Sequence, residues 1–203
     1  MTTAGSTNDV GAAGPKTGRP RRPETDAAIL RATCDLFAEL GYDGMSVEAV
    51  AARAGVGKAT IYRRWSSKDD LIIAAIQEVT TAIAVPTTGN LRNDLIGLIA
   101  GAIRFMKTAE AGVIFPRMAG EVAGRTPLGL RYVETVIGPR RAMLREVLAA
   151  AIESGELRSD LEVTLLADTL MGPIILRKIL GELDQSPEDT PIRLVETLLD
   201  GWQ

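Results

Sequence analysis

The sequence predicts an all-α chain, with a group of short N-terminal helices followed by a larger helical body. Three observations carry this reading. Apolar residues recur at helical spacing through nearly all of residues 24 to 203. No stretch shows the alternating pattern of a half-buried strand. Serine, threonine, asparagine, glycine and proline fall where helices start and stop.

Taken in order, residues 1 to 23 are rich in Gly, Thr, Ala and Pro and read as a disordered basic arm. From Glu24, the residues Ile29, Leu30, Thr33, Leu36, Phe37 and Leu40 form one helical face, and Gly41 is its expected stop. Cys34 within it is the chain's single cysteine, expected as a small packing residue. Ser46 is a good cap for a short second helix with Val47, Val50 and Ala51 on one side. Ala54 and Gly55 end it, and a third helix is expected from Lys58 to Arg64. Ser67 caps a fourth, from Lys68 to about Ala84, which Pro86 and Gly89 close.

Asn90 then opens a segment to about Thr108. An apolar segment from Ala111 to Ala123 is expected to break at Pro116, and Thr126-Pro127 opens a long segment that Pro139 should kink or divide. Asp160 is the expected cap of a helix reaching Leu180, and Pro191 opens the last one. In the Leu165 to Leu180 segment apolar residues fall all around the helix. Such a helix is buried on every side, either in a monomer core or between its own core and a second subunit. Leu166, Leu170 and Ile174, with Val195, Leu198, Leu199 and Trp202 of the last helix, are the expected dimer seam.

Composition excludes several classes of chemistry. There is no histidine, so no Ser-His-Asp or Cys-His pair can form, nor a His- or Cys-based zinc site. The one cysteine allows no intrachain disulfide, which fits a reducing compartment, and the cytoplasm is the expected location. The longest near-apolar run, Leu95 to Ile103, is nine residues, against the ~20 of a membrane span. The first residues show no apolar signal-peptide core, and neither membrane nor cofactor is expected. The acidic pairs Asp69-Asp70 and Glu188-Asp189 each begin a helix, where carboxylates complement the dipole. GVGKAT lacks the spacing and the preceding strand of a phosphate loop.

Net charge is −3 but unevenly placed. Residues 1 to 68 carry 10 Lys/Arg against 7 Asp/Glu, and the remainder 13 against 19. A weakly acidic chain with a local basic face can still bind DNA, because phosphates respond to the local field.

Residues 46 to 64, SVEAVAARAGVGKATIYRR, have the form helix, glycine turn, helix. Small residues at the crossing and a polar second helix are what a helix-turn-helix needs to enter the major groove. The longer string from Ala27, AAILRATCDLFAELGYDGMSVEAVAARAGVGKATIYRRWSSKDDLIIAAI, resembles the DNA-binding domain of the TetR family of bacterial transcriptional regulators. It covers about a quarter of the chain and holds Phe37, Tyr42, Tyr62 and Trp65, half of the eight aromatics.

The resemblance implies a homodimer. It implies a three-helix N-terminal helix-turn-helix DNA-binding domain (residues 24–67) and a helical ligand-binding and dimerisation body (68–203). By position, Lys58, Ala59 and Thr60 stand nearest base edges, and Tyr62 and Lys68 reach phosphates. Arg63 and Arg64 reach bases or backbone, and Ser46 belongs to the same DNA-facing set. Ile61 and Trp65 are core. Gly57 departs from the family pattern, which often has a serine cap there, and offers no side-chain hydroxyl for the matching phosphate contact. Arg19 and Arg21 precede the first helix and either enter the minor groove or merely aid encounter. In the body, Phe105, Met106, Phe115, Met118, Met143 and Met171 are candidate pocket residues for a small apolar or amphipathic effector. Arg104, Arg117 and Glu121 either orient a polar ligand or are surface.

The expected function is a sequence-specific DNA-binding regulator, a repressor released from its double-stranded DNA operator by that effector. The competing readings are a non-specific architectural DNA-binding protein, and a small-molecule carrier or enzyme with a vestigial head.

Overall fold

A computed structural model describes residues 23–80 and 88–202, except for the side chains of Ala109 and Glu110. The arm with Arg19 and Arg21, and the expected end of the fourth helix, lie outside the described residues. The helices are α1 (Pro23–Gly44), α2 (Val47–Arg53), α3 (Lys58–Tyr62), α4 (Lys68–Thr80), α5 (Leu91–Met106), α6 (Ala109–Ala123), α7 (Pro127–Tyr132), α8 (Gly138–Glu153), α9 (Val163–Ile179) and α10 (Thr190–Trp202). No strand occurs among the described residues.

Side-chain caps start the helices where the sequence asks for them. Ser46 accepts from the Ala49 amide (3.1 Å), Ser67 from Asp70 (3.0 Å), Asn90 from Asn93 (2.9 Å) and Thr126 from Gly129 (3.1 Å). At α9 the cap is Glu162, not Asp160. Its carboxylate accepts from the amides of Thr164 and Leu165 at 2.8 and 2.7 Å, which also lowers its pKa. A carboxylate taking two helix N-terminal amides complements the dipole more fully than one standing two residues earlier.

Pro116 does not break its helix, whereas Pro139 falls where the long segment is divided. α6 runs unbroken through Pro116. One missing amide is tolerated there because the helix is packed on two sides. Ala111, Ile114 and Met118 are buried, the last two in the α1–α4 core, while Phe115 faces the body core. Pro139 falls in the first turn of α8, and the helix ahead of it widens into a π turn, Val133–Ile137. A proline offers no amide and crowds the preceding turn, and a wider turn relieves both effects.

Two cores share the chain. The head core gathers Ile29, Phe37, Val50, Ile61, Leu71 and Ile72 from α1–α4 and reaches into the body through Met118, Leu128 and Val136. The body core joins α5, α8, α9 and α10 around Ile99, Leu148, Leu170, Ile174, Val195 and Leu199. This corrects the expected dimer seam. Leu166, Leu170, Ile174, Val195, Leu199 and Trp202 are all buried inside the subunit, and Leu198 is half-buried against the same core. The apolar face of α9 that remains open is the opposite one, with Leu165, Leu176 and Ile179 all more than half exposed. All-round hydrophobicity told that two faces had work to do, but not which one its own subunit would cover.

Head and body are joined at defined points. α1 is kinked at Gly41, whose φ of 71° turns the chain. There Arg117 of α6 donates to the carbonyls of Ala38 (2.8 Å) and Glu39 (3.0 Å), in the last turn before the kink. α7 crosses α6 so closely that a Cβ at Gly129 would lie 2.2 Å from the Glu121 carbonyl oxygen. Only glycine fits there.

Candidate nucleic-acid interface and body cavity

α2 and α3 meet through Val47, Val50, Ala51 and Ile61, all buried. The turn between them passes through Gly55 (φ 66°), and the Val56 amide donates to the Ala51 carbonyl at 2.9 Å. Ile61 pins α3 to the core, which turns the rest of this short helix outward. Lys58, Ala59, Tyr62 and Arg63 are exposed, and Thr60 is half-exposed. The Lys58 ammonium pairs with Glu48 of α2, which raises its pKa, and stands 5.6 Å from the centroid of the Tyr62 ring. The Arg63 guanidinium has no partner among the described residues. The outward face of α3 therefore offers a free arginine, a lysine held in place by Glu48, a phenol and a threonine.

Two expected DNA-contacting residues also hold the head together. Arg64 is turned into the head. Its Nε lies 2.6 Å from Asp26 Oδ1 and its Nη1 donates to the Thr60 carbonyl at 3.2 Å, leaving the side chain 20% exposed. Asp26 lies in the first turn of α1 and Arg64 just past the end of α3, so each charge also complements its own helix dipole. This pair fixes α3 on α1. Lys68, at the start of α4, donates to the Tyr42 carbonyl and stands 4.2 Å from the Tyr42 ring centroid. The Tyr42 hydroxyl donates to Asp69 Oδ1 at 2.6 Å, and this bond to a carboxylate pushes its pKa up to about 12. Lys68, Asp69 and Tyr42 clamp α4 to the end of α1.

The body contains a cavity of about 430 Å³ between α4, α5, α6, α8 and α9. Of the six expected pocket residues, Phe105, Met106, Phe115 and Met171 line it. Met118 does not, because it is buried in the head core. Met143 does not either, since it is 46% exposed on the outer side of α8. The sequence reading missed Thr80, Tyr132 and Arg140, which form the polar part of the wall. Arg140 donates to the Val136 carbonyl (3.0 Å) and to the carbonyl and hydroxyl oxygens of Thr80 (2.8 and 2.9 Å). The signal for it was present. Arg140, Leu144, Leu148 and Ala151 share one helical stripe, so this arginine sits in a core-facing register. Burial lowers the Arg140 pKa and raises that of Tyr132. At the edge of the cavity Arg141 pairs with Asp168.

A head that anchors a short polar helix on a glycine turn, carried by a helical body, defines a helix-turn-helix DNA-binding regulator. Residues 29–75 match the model of bacterial regulatory proteins of the tetR family, and residues 85–198 match the tetracyclin repressor-like C-terminal domain. The chain belongs to the TetR family. It is 34% identical over 166 residues to the HTH-type transcriptional regulator YdeS of Bacillus subtilis, covering 81% of this chain and 83% of that one. It is 31% identical over 163 residues to the DNA-binding transcriptional repressor TetR of Mycobacteroides abscessus, covering 79% and 85%. The crystal structure of the TetR family regulator SCO0332 superposes with a TM-score of 0.66 at 30% identity, covering 89% of this chain and 99% of that one. The chain is accordingly a DNA-binding transcriptional regulator. Among the described residues, no helix is long and apolar enough to cross a membrane.

Proposed function

We propose that the chain is a homodimeric repressor that occupies a pseudo-palindromic operator and is released by a small amphipathic effector bound in the body cavity. The observation that carries the release step is that the cavity wall includes Thr80, the last described residue of α4, held by Arg140 of α8. α4 packs on α1 of the head, so a ligand that rearranges this wall acts on a helix shared with the reading unit. The repressor direction is supported by the name of the Mycobacteroides relative.

Lys58, Ala59, Thr60 and Arg63 read bases in this proposal. Tyr62, the hydroxyl of Ser46, and the N–H groups that Lys68 has left over contact phosphate, and Arg19 and Arg21 follow the backbone or minor groove. The second subunit covers the open face of α9. Leu165, Leu176, Ile179 and Leu180 lie at spacings of eleven, three and one, a single exposed stripe opposite the buried face of Leu166, Leu170 and Ile174. No enzymatic step and no cofactor belong to this mechanism.

The test is selection of bound fragments from the source genome, followed by footprinting. Two half-sites about 34–36 Å apart, or separated by a multiple of one DNA turn, are expected. A ligand that shifts the population tenfold toward the released state must favour it by about 1.4 kcal/mol. Equal affinity for selected and random DNA would reject sequence-specific regulation. A single asymmetric half-site would reject the dimeric reading.

A further inference from the structure

Arg140 is a half-buried cation on the wall of the body cavity with no carboxylate partner among the described residues. Arg53, Arg64, Arg92, Arg131, Arg141 and Arg158 each stand against a carboxylate. Arg140 is half-buried on the inner stripe of α8 and has no acidic partner among the described residues. Its three hydrogen bonds go to neutral oxygens of Val136 and Thr80. They fix the plane of the guanidinium and leave two of its five N–H donors without a partner among the described residues. The segment 81–87 that follows Thr80 contains no acid in its sequence. Beside Arg140, Tyr132 lines the same cavity, and its hydroxyl has no hydrogen-bond partner among the described residues. The one carboxylate on the wall, Asp168, is already held by Arg141. Nearly all of the remaining wall is apolar, including Leu98, Phe105, Met106, Phe115 and Met171.

We propose that the cavity takes an amphiphile with an oxyanion head, seated on Arg140 and Tyr132, with its hydrocarbon tail against the apolar wall. This rests on the effector reading above and names the chemical class of that effector. A neutral hydrocarbon filling the cavity would strip water from an unpaired guanidinium, which costs free energy. An oxyanion instead supplies the missing counter-charge, and a planar guanidinium suits carboxylate and phosphate geometry alike. Burial holds the Tyr132 phenol protonated, so it donates to the anion rather than repelling it. The volume of about 430 Å³ lies within the ~300–1,000 Å³ range of small-molecule sites. The anion would share the guanidinium with Thr80, at the described end of α4.

The test is calorimetric titration of the full chain with four ten-carbon probes: decanoate, decyl phosphate, decan-1-ol and decyltrimethylammonium. At least one anionic probe should bind ten times or more tighter than decanol, and the tighter of the two anions identifies the head group. Arg140→Gln should erase that advantage while leaving decanol affinity within about threefold, and Arg140→Lys should retain part of it. Ala102→Trp, which fills the cavity, should abolish binding of every probe. If Arg140→Gln does not fold, the wild-type ranking together with Ala102→Trp decides. Binding of decanol or the ammonium probe equal to or tighter than the anions would overturn the oxyanion assignment and leave the effector reading standing. Anion binding that survives Ala102→Trp would place the site elsewhere and overturn the assignment as well. No binding by any probe would sink both.

Discussion

Arg117→Ala should loosen the joint between head and body. In the structure Arg117 reaches from α6 to the carbonyls of Ala38 and Glu39, the first bond partly buried and the second exposed. A hydrogen bond from a charged donor contributes about 1.5–3 kcal/mol, and the exposed carbonyl regains water once the donor is gone. The net loss should therefore be about 1–3 kcal/mol. Urea unfolding measures it, with wild type and variant at one protein concentration because assembly shifts apparent stability. With an m-value of about 2 kcal/mol/M the midpoint should fall by roughly 1 M with m unchanged. Gly41 provides an internal control. A Cβ there would lie 2.5 Å from Arg117 Nη1, and its φ of +71° is strained for any L side chain. Gly41→Ala should cost more in wild type than in the Arg117→Ala background, because removing Arg117 relieves the clash but not the roughly 1–2 kcal/mol of backbone strain. An Arg117→Ala midpoint equal to wild type, or strictly additive costs in the double variant, would refute the reasoning.

Three further outcomes are expected. Lys58→Ala or Arg63→Ala should change the consensus selected from random DNA, at about 1–3 kcal/mol for each base no longer read; Arg64→Ala should instead lower thermal stability and weaken all sequences alike, and an altered consensus there would count against its inward role. Leu176→Glu with Ile179→Glu should yield monomers by sedimentation velocity, whereas Leu170→Ala should keep the assembly but cost about 2–5 kcal/mol of stability; dimers in the glutamate variant would move the interface elsewhere. Deleting residues 1–22 should flatten the slope of log K against log salt by about 0.9 for each phosphate that the arm neutralises, and an unchanged slope would make the arm a passive tail.

The helices, most caps and the reading motif were legible in the sequence, because each depends on residues close together along the chain. Ser46, Asn90 and Thr126 cap through an amide three positions on, so sequence spacing already contains the geometry. Ile29 and Phe37 declared themselves core by periodicity. What stayed hidden were choices between partners distant in sequence. Arg63 and Arg64 are adjacent and chemically identical. Only the packing of α3 on α1 turns one out to solvent and the other onto Asp26, thirty-eight residues away. Met118 and Met143 looked like pocket lining, but a methionine suits any apolar surface. The crossing of α6 under the head claims the first, and the outward register of α8 leaves the second in solvent. The apolar seam predicted on α9 and α10 was read from hydrophobicity, which says that a surface must be covered but not by which neighbour. Local sequence thus determined the all-α chain and its DNA-reading unit, because capping, periodicity and turn chemistry act within a few residues. The cavity, the inward Arg140, the Arg117 joint and the open face of α9 were decided by tertiary packing, because each needs side chains that only the folded chain brings together.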